Sequence, residues 1–178
     1  MESIKIVLLS IAAGAVYGVV HDQITARICI EYFTVFHPRI IESTSPTLLG
    51  LTWGIVATWW AGAILGLALA VAGRAGSREK FGALDVLPMI FRLLLIMGAC
   101  AASFGIAGFL LASKGIVSPP AWVQGSIPGS RFPNFMADWW AHNASYGSAF
   151  VGGAVLCTLL YRKRNSTLRE TSQTRERK

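Results

Sequence analysis

Charge is the scarcest property of this sequence. Asp, Glu, Lys and Arg make up only 14% of its 178 residues, against roughly 25% in an ordinary soluble domain. Hydrophobic residues reach 53% and the mean hydropathy is +0.53. A domain of this size folding in water buries only about 70% of the surface its chain exposes, so a soluble fold would leave much apolar surface wet. Cysteine is sparse too. Cys29, Cys100 and Cys157 lie far apart in sequence, and a thiol oxidoreductase needs two reactive thiols together. Cys100 and Cys157, inside apolar runs, read as packing residues. The chain also lacks a phosphate-binding glycine loop and a nucleophile-elbow serine. It has no internal repeat and no charge at the centre of an apolar run, which disfavours a transporter, pump or channel.

What the chain does have is long apolar runs. Residues 48–72, 93–112 and 143–161 carry no charge at all over 25, 20 and 19 residues, and about 20 suffice to cross a bilayer as a helix. A fourth run, residues 6–20, has only 15 residues between Lys5 and His21. It covers about 22 Å of a core roughly 30 Å thick. It spans only if Lys5 snorkels or the helix continues through His21 and Asp22. A cleaved signal peptide is the rival reading, with Lys5 as its basic start and Ala13-Gly14-Ala15 as a cleavage site. Tyr17, Val19 and Val20 carry the run past that site, which favours retention. The expectation is an all-α membrane protein, a bundle of four transmembrane helices. The spans fall at about residues 4–22, 48–72, 90–112 and 138–161, with outer loops 23–47 and 113–134 and a basic tail 162–178.

The net charge of +7 is then a topological signal. Lys5, Arg74, Arg78, Lys80, Arg162, Lys163, Arg164, Arg169, Arg175, Arg177 and Lys178 fall on one side of the membrane, and Arg27, Arg39, Lys114 and Arg131 on the other. Arg92 lies at the entrance to the third span on the richer side. The positive-inside rule puts both termini in the cytoplasm. The tail contains no aromatic residue, so it reads as a solvated run beside anionic lipid rather than a nucleic-acid surface. Gly62 with Gly66, Ala101 with Gly105, and Ser148 with Gly152 and Gly153 supply small-residue faces. These suit helix packing within the bundle, or else a homo-oligomer or a larger membrane complex. The loop 113–134 holds Pro119, Pro120, Pro128 and Pro133, and its length suits a lid or binding loop.

The candidate chemistry sits on the outer side. His21, His37 and His142 all fall there, with Asp22, Glu31, Glu42 and Asp138. Polar side chains near membrane depth mark functional sites. At about 100° per residue, a first helix that continues past His21 groups Thr25, Cys29 and Tyr32 with it. Gln23, Arg27 and Glu31 form a second face, where Arg27 would neutralise Glu31. In the last helix Asp138, His142, Ser145 and Tyr146 make one stripe. A carboxylate and an imidazole at this spacing can converge on one metal ion. His21, Asp22, His37, Asp138 and His142 are therefore the candidate ligands for a zinc-like divalent metal. The competing reading is a hydrogen-bonded cap in which Arg27, Glu31, Tyr32, Ser145 and Tyr146 join them. Haem would want its histidines around an apolar slot inside the bundle. A hydrolase of Ser145, His21 and Asp138 has no motif behind it.

The segments YGVVHDQITARICIEYFTVFHPR (residues 17–39), SPTLLGLTWGIVATWW and ADWWAHNASYGSAFVGG resemble a group of uncharacterised bacterial integral membrane proteins. The resemblance covers most of the chain up to the tail. It implies a bacterial inner membrane with the histidines on the periplasmic side, and it implies no reaction. The functional expectation is a small membrane protein whose outer cap binds a metal ion or a partner. A metal-dependent enzyme at the outer lipid interface and an accessory subunit of a larger complex are the alternatives.

Overall fold

The computed structural model describes residues 1–76 and 79–176, with side chains as far as residue 164. Arg78 and the tail side chains beyond Arg164, on which part of the orientation argument rests, lie outside the described residues. The described chain is helical throughout and contains no strand. Four of its segments are long and apolar enough to cross a membrane: Glu2–Ile28, Pro46–Arg74, Ala83–Ser113 and Gly129–Arg164.

Helix α1 spans Glu2–Ile28. Its 27 residues give about 40 Å at 1.5 Å per residue, and it gains the length to cross a bilayer by running on through His21 and Asp22. A π-helical turn, Tyr32–Phe36, follows. Helix α2, Pro46–Val56, opens with Ser45 as cap and Pro46 in its first turn, where a missing N–H leaves nothing unpaired. Helix α3 is Trp59–Arg74 and α4 is Ala83–Ser113. Asp85 accepts the Gly82 N–H at 2.7 Å and closes the first turn of α4. The connection between α4 and the last helix holds a short α5, Ala121–Gln124, and a 3-10 turn, Gly129–Arg131. Helix α6, Phe132–Glu176, completes the chain.

The apolar run expected as one continuous second span is broken between α2 and α3. The Thr58 hydroxyl donates to the Gly54 carbonyl at 2.5 Å, and this side-chain bond competes with the helical ladder and bends it. The Ala57 N–H still reaches Trp53, but the Thr58 N–H turns to Ile55. Hydropathy carries no trace of such a break.

The bend lets both α2 and α3 lie along α1. Gly50, Gly54, Thr58, Gly62 and Gly66 recur every four residues and form one ridge facing α1. A methyl group built at Gly62 would meet the Ser10 and Ile11 backbone, and one at Gly54 the backbone of Gly18 and Val19. A methyl at Gly50 would lie 2.9 Å from the Asp22 carbonyl group. Gly18 faces back onto Gly54 and Thr58. Gly62 and Gly66 are thus occupied within the chain, where close backbone approach supplies the packing that water cannot drive.

The ends of the bundle separate cleanly. At one end, Glu2 accepts the Ala83 N–H at 3.2 Å, and Arg164, 1% exposed, donates to the carbonyls of Glu79, Ala72 and Ala75 at 2.7–2.8 Å. The bonds to Ala72 and Ala75 satisfy carbonyls that the end of α3 leaves unpaired. Beneath lies a core of Ile6, Leu69, Val86, Ile90, Leu93 and Leu160. At the other end a second core of Ala26, Cys29, Tyr32, Phe33, Trp53, Val123 and Phe135 underlies the loops that join α1 to α2 and α4 to α6. Outward, Val16, Ile64, Leu95, Ile106, Phe150 and Val151 are exposed. At most 28% of any spanning window is buried, so the remaining apolar surface requires lipid.

Replacing Gly54 or Gly18 with Leu should force α1 off α2, because the added atoms meet backbone that cannot rotate away. Overpacking of this kind costs about 1–3 kcal/mol or more. The thermal midpoint in detergent should fall clearly for both, whereas Gly147→Ala, with open space around it, should leave it within error.

Candidate metal centre

Two helices carry the site. Asp22 and His21 sit on the last third of α1, held by the glycine contact with α2. His142 sits on α6, one turn after Asp138. The His142 Nδ1 lies 2.7 Å from the Asp138 main-chain carbonyl. A carbonyl only accepts, so Nδ1 carries the proton and the Nε2 of a neutral ring is a bare lone pair. That Nε2 faces Asp22 Oδ1 at 3.3 Å, with both side chains below 10% exposure. The pair is close enough for an ion pair but lacks hydrogen-bond geometry, and Nε2 has no hydrogen-bond partner among the described residues.

His21 repeats the pattern. Its Nδ1 lies 3.0 Å from the same Asp22 oxygen, and its buried Nε2 also has no hydrogen-bond partner. The two imidazoles stand edge to face with centroids 4.5 Å apart. One ligand atom from each of His21, Asp22 and His142 lies within 4.8 Å of the others. A tetrahedral zinc with 2.0–2.1 Å bonds would want about 3.3–3.4 Å between ligand atoms, so side-chain movements of about 1 Å would close the site.

The remaining candidates are placed differently. His37, just after the π-helical turn, has Nδ1 on the Tyr32 carbonyl at 2.9 Å, and its ring centroid is 4.5 Å from Trp53 but 6.4 Å from His142. Burial, against the pull of the Tyr32 carbonyl, holds its imidazolium below the ordinary range. Asp138 is fully buried with neither carboxylate oxygen hydrogen-bonded, and it stands outside the close triad. The i, i+4 spacing is expected to bring its carboxylate and the imidazole together. In the structure it is the main-chain carbonyl of Asp138 that meets His142.

The expected Arg27–Glu31 pair does not form. Helix α1 ends at Ile28, so the i, i+4 relation lapses before Glu31. Arg27 turns to Gln23 and Thr47, and Glu31 is held by Arg131 at 3.0 Å. Arg131 and Asn134 both also donate to the Ile28 carbonyl at 3.1 Å, tying the end of α1 to the start of α6. In the sequence Arg131 stands out only as a charge between spans, and Asn134 does not stand out at all. Their position, a cation and an amide at the mouth of the last span opposite a lone glutamate, was the available signal. Ser145 shares a hydrogen bond of 2.7 Å with Tyr17. Tyr146 is 44% exposed.

An aromatic shell closes over the centre. The Tyr32 ring lies 4.4 Å from His142, with Phe33 at 5.9 Å, and Phe36 stacks on Trp122 at 5.5 Å. The side chains beneath it are at most 10% exposed, and in such a low-dielectric setting every charge acts more strongly. Comparison of the chain with protein-family models, with curated proteins and with solved structures finds no match. The chemistry is therefore read from the residues.

Two outcomes follow from the rim of the site. Burial opposes ionisation of Glu31, but the Arg131 guanidinium, its own backbone and the Cys29 thiol outweigh it and hold the carboxyl below its ordinary value. A folded value below the unfolded one means that this contribution is complete above the unfolded value, near pH 4.3. It is lost as pH falls through the folded value. Thermal midpoints recorded from about pH 6 down to pH 3 should drop on the acid side, and Glu31→Gln should flatten that limb. At Cys29, burial, reinforced by the Asp138 and Glu31 carboxylates, pushes the thiol up to about 12. With Cys100 and Cys157 replaced by Ser, the folded protein should resist maleimide at pH 8 and react only once unfolded. Rapid labelling of the folded form would contradict this placement.

Proposed function

We propose that this chain is a multi-pass protein of the bacterial inner membrane whose His21–Asp22–His142 centre binds one divalent metal ion of the zinc type. The observation that carries the reading is the meeting of the His142 Nε2 lone pair with the Asp22 carboxylate. Two acceptors 3.3 Å apart in a buried site repel each other unless a cation lies between or beside them. A proton on Nε2 would instead make the pair an imidazolium–carboxylate contact without hydrogen-bond geometry. A metal ion set off that line would accept lone pairs from both residues and from His21, one ring nitrogen of which lies within 4.8 Å of the other two ligand atoms.

The site is closed. Side-chain exposures of 10%, 7% and 9% for His21, Asp22 and His142 fit a retained ion. A catalytic metal keeps an open position and a path for water. The reading is therefore a structural or sensing metal that clamps α1 to α6, in preference to a metal-dependent enzyme. An accessory role in a larger complex would have to use faces other than the Gly62–Gly66 ridge, which α1 fills. The excess of Lys and Arg around the N-terminus, the 75–82 connection and the tail supports cytoplasmic termini, with the metal centre at the periplasmic end.

Protein purified in detergent without a histidine tag should carry about one zinc or similar ion per chain. His142→Ala and Asp22→Asn should lose it, and His37→Ala should keep it. An unmutated protein free of metal, with His142→Gln as stable as the parent, would decide for an imidazolium–carboxylate cap and against the metal. For the orientation, reporter fusions at Gly76 and Gly125 should behave oppositely, and equivalent behaviour would overturn the topology.

A further inference from the structure

Between α4 and α6 the bundle leaves a groove of about 590 Å³, lined by Phe104, Trp140, Asn143, Ala144, Gly147 and Val151 among others. Its wall is fixed. A methyl built at Gly108 would lie 2.8 Å from the Trp140 Cγ, and the Trp140 ring stands 6.4 Å from that of Phe104. A methyl built at Gly147 meets nothing within 4 Å, whereas Gly105, Gly108 and Gly152 on the same two helices are filled by neighbours. Asn143 is exposed in this apolar setting. One amide N–H donates to the Trp139 carbonyl at 2.7 Å, and the rest of the amide has no hydrogen-bond partner among the described residues. A polar side chain exposed on an apolar spanning helix is costly in lipid unless it finds a partner.

We infer that the groove holds one acyl chain of a diacyl phospholipid, drawn from the leaflet on the side of the metal centre. The second N–H of Asn143 donates to an ester carbonyl of that lipid. Length supports this occupant. Trp139 and Val151 bound the groove along α6 and lie about 18 Å apart at 1.5 Å per residue. Half of a hydrocarbon core roughly 30 Å thick is about 15 Å, so the groove is as long as one leaflet is deep. Trp139 and Trp140 stand at one end of it, as indoles do at headgroup level. Width argues against a helix from a second copy. Spread over that length, the volume gives a section of about 30 Å², against roughly 80 Å² for a helix 10 Å across. No lining residue is charged, and Lys114, the cation on α4 toward the tryptophan end, lies about 15 Å beyond Phe104. The site therefore reads chain and ester, and is indifferent to headgroup charge.

The experiment is native mass spectrometry of the full-length, tag-free protein, delipidated in detergent and titrated with palmitoyl-oleoyl phosphatidylethanolamine or phosphatidylglycerol. The parent should saturate at one lipid per chain, with the two headgroups within about twofold of each other, since no cation faces them. Gly147→Leu, which fills the groove without touching its neighbours' backbone, should weaken binding at least about tenfold while the thermal midpoint holds. Asn143→Leu should weaken it by less, and Phe150→Ala, an exposed residue outside the groove, should leave it unchanged. A parent that binds no lipid, or gathers lipids without saturating at one, overturns the inference. So does Gly147→Leu binding as the parent does, or a strong preference for phosphatidylglycerol. Asn143→Leu binding as tightly as the parent overturns the ester contact. A dimeric parent turned monomeric by Gly147→Leu would make the groove an interface between copies and sink the lipid assignment. Should Gly147→Leu fail to fold, Ala144→Leu fills the same groove and decides by the same comparison. The readout is lipid mass, so a failure of the metal reading leaves this test intact.

Discussion

The hydrogen bond from His142 Nδ1 to the Asp138 carbonyl, 2.7 Å long, is the contact on which the polar end of this protein depends. An i to i−4 bond of a side chain to its own helix looks like a local detail. It nonetheless selects the tautomer of the ring, and it leaves Nε2 as an acceptor aimed out of α6 toward α1. Asp22 stands in that path with an oxygen at 3.3 Å. A buried lone pair opposite a buried carboxylate is not a self-sufficient arrangement. In the proposed reading a cation answers that arrangement, and the backbone of α6 places the ring that would meet it.

The other half of the site is placed by sterics. Asp22 stands where it does because α1 lies against a ridge of glycines on α2 and α3, at a separation that any larger residue would prevent. In lipid, helices gain little by hiding apolar side chains from one another, so close backbone packing decides where they settle. The bend at Thr58 keeps that ridge in register with α1 above and below it. The Arg131 bonds to Glu31 and Ile28 then fasten the far end of α1 to the mouth of α6. The aromatic turn Tyr32–Phe36 seals what those three contacts have brought together.

How far the sequence discloses this can be judged residue by residue. Four spanning helices are legible because the charge-free runs have nowhere else to go. The continuation of α1 through His21 and Asp22 is legible because the first run is too short without them. The approach of His21 and Asp22 to His142 follows from helical periodicity and matching depth. The break at Thr58 is hidden, since a threonine in an apolar run has the same hydropathy whether or not its hydroxyl bends the helix. The Glu31 partner is misread because pairing at i, i+4 presumes a helix, and α1 stops at Ile28. Asp138 is read as converging with His142 through its side chain. Rotamer choice, to which sequence spacing is blind, gives the contact to the main-chain carbonyl and leaves the carboxylate unpaired.

The central claim is that the imidazoles of His21 and His142 and the Asp22 carboxylate share one metal ion. X-ray absorption at the zinc edge of tag-free, zinc-loaded protein tests it most directly. The account predicts a shell of nitrogen and oxygen donors at about 2.0–2.1 Å, with the outer-shell scattering of two imidazole rings reduced in His142→Ala. A shell of water oxygens alone, sulfur ligands at about 2.3 Å, or a spectrum unchanged by His142→Ala would contradict it.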